Sequence, residues 1–131
     1  MRAALAMLLL APAAVAAQSC GLPAIGARLE SERFSVGLRT IPEKIQVAKH
    51  FTIELTVCHK PGVAAPESVK VDAHMPEHRH GMNYAASVVP APGNVYRAEG
   101  LLFHMPGRWE MLVDVRAQGR TDRLTRSLLI E

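Results

Sequence analysis

Aromatic residues are scarce in this chain of 131: one Trp, two Tyr and three Phe, 5% of the sequence. That scarcity argues against a surface that stacks bases, because single-strand sites interleave aromatic platforms with basic groups. A net charge of +3 and a pI near 9.2 do not restore such a surface, since the Lys and Arg residues are scattered and form no run. Nucleic acid is therefore not an expected partner. Cysteine is scarce too. The only two, Cys20 and Cys58, form no Cys-x-x-Cys pair, so neither a zinc ribbon nor a dithiol redox motif is present. No serine sits in a nucleophile elbow. The longest apolar stretch lies within residues 1–17 and is broken by Pro12. It falls short of the roughly 20 residues that a membrane-spanning helix needs.

That stretch has another reading. Arg2 supplies a positive start, Ala3 to Ala11 an apolar centre, and Ala14-Val15-Ala16 or Val15-Ala16-Ala17 a small-residue cleavage pattern. Residues 1–17 are expected to be a signal peptide, cleaved near Ala16 or Ala17, with the mature protein periplasmic and without a stable membrane span. Acylation of Cys20 is not expected, because Ala17-Gln18-Ser19 lacks the usual leucine. An oxidising compartment favours joining Cys20 to Cys58. Closing a loop of roughly 39 residues would contribute about 4 kcal/mol in the chain-entropy model. Metal ligation by the thiolates is the alternative, and neither cysteine lies beside the histidine-rich segments.

Beyond the leader, residues 18–33 read as an N-terminal arm held by Cys20, and residues 34–131 as one domain. The pattern there has period two. Phe34, Val36 and Leu38 alternate with polar residues, as do Phe51, Ile53, Leu55 and Val57, and Trp109, Met111, Val113 and Val115, the spacing of half-buried strands. Val69 to Ala73, Tyr84 to Val89, Val95 to Phe103 and Leu124 to Ile130 complete about seven strands. Lys60-Pro61-Gly62, Pro90 to Asn94 and Ala117-Gln118-Gly119 supply turns. Nine Pro and nine Gly, with no sustained helical period, favour short strands. The expected fold is all-β, an immunoglobulin-like sandwich.

The chemistry is concentrated in two segments, His74-Met75-Pro76-Glu77-His78-Arg79-His80-Gly81-Met82 and His104-Met105-Pro106-Gly107, which hold four of the six histidines. Imidazole takes Cu(I), Cu(II) or Zn(II), whereas a thioether adds affinity mainly for Cu(I). A mixed set therefore points to copper, Cu(I) above Cu(II) or Zn. In an extended chain His78, His80 and Met82 would stand in one row. His104 or Met105 from the second segment could complete the site, with Met75 as a further candidate. The plain alternative is packing: Met fills irregular gaps, and histidines cap turns.

At these residues the chain resembles the exported YtkA-like and FixH-like immunoglobulin-type domains. Their Met-Pro-x-His-x-His-like segment corresponds to Met75-Pro76-Glu77-His78-Arg79-His80, and their Phe-x-Met-Pro-Gly-x-Trp-like segment to Phe103-His104-Met105-Pro106-Gly107-Arg108-Trp109. The resemblance covers roughly Phe34 to Glu131. It implies a sandwich and a role in envelope copper handling or oxidase assembly. The expected function is a monomeric periplasmic Cu(I) chaperone or carrier that meets a copper-accepting envelope protein. Two other classes stand against it: a metal-free interaction module of an envelope complex, and a metal-dependent enzyme. Against the enzyme, residues 81–89 contain no carboxylate to complete a cupin-type site, so no catalytic residues are expected.

Overall fold

The computed structural model describes residues 20–131; the expected signal peptide lies outside them. Nine strands follow one another: β1 Ala27–Glu30, β2 Phe34–Ile41, β3 His50–His59, β4 Ser68–Met75, β5 His80–Gly81, β6 Ser87–Ala91, β7 Val95–Leu102, β8 Gly107–Ala117 and β9 Arg120–Ile130. They form two antiparallel sheets, β1-β2-β3-β7-β6 and β5-β4-β8-β9. With β2 taken as strand A, the orders read A-B-E-D and C′-C-F-G, the immunoglobulin arrangement. Among the described residues there is no helix, and hence none long and apolar enough to cross a membrane.

The alternation in the sequence becomes the core directly. Phe34, Val36, Leu38, Ile53, Leu55, Val57, Val71, Trp109, Met111, Val113 and Val115 are all buried, pointing inward from facing sheets. Two strands beyond the expected seven are β1, inside the stretch read as an arm, and the two-residue β5. The fourth expected strand also moves. Residues 84–86 lie outside any strand, and β6 runs on through Pro90 and Ala91, so the turn is confined to 92–94. A proline is tolerated there because β6 is a sheet edge.

The hairpin between β8 and β9 closes on Gln118 and Gly119, both at positive φ, as a two-residue type I′ turn requires. Behind it sits a buried ion pair. Arg33 Nε donates to Asp122 Oδ1 at 2.9 Å, and its other nitrogens donate to the carbonyls of Ala117 and Arg120 at 2.9 and 2.8 Å. Ser31 donates to the second carboxylate oxygen at 2.7 Å. Burial pushes the Asp122 carboxyl up, but these hydrogen bonds outweigh it and hold it below the ordinary aspartate value. Near the same end, Cys20 is disulfide-bonded to Cys58 at the end of β3. The arm is thus fastened twice.

Candidate metal centre

The two His/Met segments meet at the opposite end of the sandwich, where β4 turns into β5 and β7 passes into β8. After Met75 the chain makes a tight turn over residues 76–79. The His78 and Arg79 amides both donate to the Met75 carbonyl, at 3.2 and 2.9 Å, and Arg79 takes a positive φ of 55°. The chain then returns as β5, with His80 opposite Met75. Residues directly opposite in an antiparallel pair share a face, so His80 stands on the inward side with the wholly buried Met75. The extended row of His78, His80 and Met82 expected from spacing is not formed, because the turn intervenes.

The second segment is fixed by its aromatic neighbours. Phe103 is buried and stacks on Trp109 at 4.6 Å between ring centroids. The Trp109 indole N–H donates to the Met105 carbonyl at 3.1 Å. This holds His104 against the indole, with ring centroids 5.4 Å apart and planes nearly perpendicular. His80 meets the same indole at 5.8 Å. Trp109 is therefore the floor on which the two segments converge. At the rim, Arg108 donates to Glu77 at 3.0 Å and clips one segment to the other.

Three imidazoles come together here. His78 lies 5.7 Å from His80, and His80 lies 5.1 Å from His104, centroid to centroid. Two imidazoles bound to one ion, with metal–nitrogen distances of ~2.0 Å, have centroids roughly 5–6 Å apart, so both spacings suit a shared ion. The Nδ1 of His80 is 3.1 Å from the Gly81 carbonyl; with its proton there it donates to that carbonyl and leaves Nε2 to ligate. The Nδ1 of His104 is buried without a hydrogen-bond partner among the described residues. Such an atom costs about 1–3 kcal/mol unless something satisfies it.

The remaining candidates divide. Met105 is half-buried beside His104 and packs on the core. Met75, a further candidate from the sequence, is fully buried with its methyl against Gly107, so it supports the floor. Met82 packs on the core and lines a groove between β4 and β6 with Tyr84 and Val88. His74 lies on the outer face, 3.7 Å from Glu110. No group of three His, Cys, Asp or Glu side chains among the described residues has the spacing of a ready-formed metal site. A shared ion would therefore draw on a thioether or a turn of the exposed His78. Sequence reasoning missed the role of Trp109 and the Glu77–Arg108 clip. The signal for the first was an aromatic two residues into the strand that follows Met105-Pro106-Gly107.

The fold and this cluster define a class: an immunoglobulin-type sandwich with a His/Met cluster at one end. The family model described as YtkA-like matches residues 28–114, more than half of the sequence, and the chain belongs to that family. The match begins before the expected Phe34 and ends within β8. No curated protein matches the chain, and no solved structure does.

Proposed function

We propose that the protein is an exported copper carrier that holds Cu(I) at the His/Met end of the sandwich and passes it to an envelope acceptor. The observation that carries this reading is His104: a buried ring nitrogen without a partner among the described residues, in a ring packed against a second imidazole. His78, His80 and His104 would supply nitrogen donors, Met105 a thioether, and Met82 a second one if its segment moves. That set suits a soft monovalent ion better than a hard one. When bound, copper brings a soft ion to an exposed rim, where a partner's donors can replace the protein's one at a time. His78 is exposed and the clip beside it is a surface ion pair, worth no more than about 1 kcal/mol, so the outer wall can open. A disulfide in the chain fits an oxidising compartment.

The test is an anaerobic Cu(I) titration against a competing chelator, comparing the wild type with a His78→Ala/His80→Ala double variant. Tight one-to-one binding that the double variant loses is the expected result. Binding no stronger than the variant's would leave a metal-free module, whose His/Met segments serve packing or partner recognition.

A further inference from the structure

Away from the histidine cluster, the edge strand β9 presents three features that belong together. First, its backbone is open. Ala117 and Arg120 flank a two-residue turn and pair with each other, so even-numbered residues of β9 bond to β8 while odd-numbered ones present N–H and C=O to the sheet edge. β9 ends its sheet, so among the described residues Thr121, Arg123, Thr125, Ser127 and Leu129 pair with no further strand, although β1 of the other sheet packs close by. Second, a groove of about 520 Å3, lined by both apolar and charged side chains, lies beside the C-terminal part of β9, between it and the β1–β2 side, with Ile25, Leu38, Ile45, Leu128 and Ile130 as its apolar wall. Ile25 and Leu129 at its mouth are 78% and 72% exposed, the two most exposed large hydrophobics among the described residues. Third, Arg126 points into this groove. It is half-buried on the inward side of β9 and makes no ion pair or hydrogen bond among the described residues.

The other arginines of β9 are occupied: Arg120 pairs with Glu32, and Arg123 with Asp114. On the groove rim Arg39 is held by Glu54, while Glu43, Lys44 and Glu131 contribute one positive and two negative charges outside any ion pair among the described residues. An inward charge on an edge strand guards against indiscriminate pairing. The same guanidinium admits a strand that brings it a carboxylate.

We infer that β9 is a docking edge for an extended acidic segment of another protein, which adds to the sheet as a further strand. Backbone hydrogen bonds to the odd-numbered residues would give affinity, and inward side chains would give selectivity, as in other strand-addition complexes. One inward residue is acidic and meets Arg126. The next inward positions, two and four residues along, are apolar and meet Leu128 and Ile130. All of β9 lies beyond the residues that the family model matches, and the site does not depend on copper.

The test uses the 15N-labelled protein with its disulfide intact and two synthetic peptides, acetyl-Thr-Glu-Thr-Val-Thr-Val-Thr-amide and the same residues in reverse order, to cover both strand directions. For one of the peptides the expected result is saturable shifts confined to β9 and the groove, with slowed exchange of the edge amides of Thr121, Arg123, Thr125 and Ser127. Replacing its glutamate by glutamine, or Arg126→Gln in the protein, should weaken binding about tenfold, the size of a lost charge-assisted hydrogen bond. The glutamine peptide keeps the test valid on the wild-type fold. Absence of saturable shifts with either peptide, affinity unchanged by both replacements, or a protein that dimerises through β9 alone would overturn the proposal.

Discussion

His104 carries the sharpest prediction at the scale of single residues. A buried nitrogen without a partner destabilises the metal-free protein, so an apolar side chain of similar bulk should relieve it. His104→Leu is expected to raise the melting temperature of the metal-free protein, by the equivalent of ~1 kcal/mol, while weakening Cu(I) binding. Calorimetry with and without copper reads both effects, and a variant less stable than wild type in the absence of metal would contradict the assignment. Asp122 behaves in the opposite sense. A carboxyl held below its ordinary value contributes stability above the unfolded pKa of about 3.9, and loses it as pH falls through the folded value. Urea midpoints should therefore drop below about pH 4, and Asp122→Asn should flatten that drop while lowering stability at neutral pH. Arg33→Ala removes the main partner of the buried carboxylate, leaving it Ser31 and a longer 3.8 Å contact with Arg120, at a cost of up to about 3 kcal/mol in the urea midpoint.

Between elements, the junction of β4 with β8 decides whether the floor beneath the histidine cluster is rigid. Gly107 has a φ of 130°, and a Cβ there would lie 2.6 Å from the Met75 methyl. Only glycine suits that backbone and that contact. Gly107→Ala is expected to cost about 1–3 kcal/mol through overpacking and backbone strain. Met75→Ala in the same chain should recover only the packing part, which a double-mutant cycle in urea separates. The strands themselves were legible in the sequence wherever alternation ran for four or more residues, as in Phe51 to Val57 and Trp109 to Val115. β5 was not, because two residues carry no period, and β1 was not, because its four residues alternate only between half-buried and exposed. The turn at 76–79 escaped for a related reason: Arg79 at positive φ is a choice made by the fold, and no glycine stands at that position to announce it.

For the molecule as a whole, what the sequence concealed is contact at long range. Arg33 and Asp122 are 89 residues apart, and neither stands out in its own neighbourhood. The donor types of the candidate metal centre were legible, but the meeting of His80 with His104 over one indole depends on the register of β4, β5 and β8, which no local pattern states. The disulfide, by contrast, followed from two cysteines and an export-like start. Its reduction should lower stability by about 2–4 kcal/mol and loosen the arm, while leaving the imidazoles at the other end in place. Amide exchange before and after reduction checks this, and changes at His80 and His104 equal to those at Leu29 would refute it. The bond has a mechanical consequence as well. Cys58 lies on β3, the middle strand of a five-stranded sheet. A pull applied at Cys20 is therefore delivered to the centre of the sheet, and β1 and β2 are spared the peeling load that an edge attachment would impose.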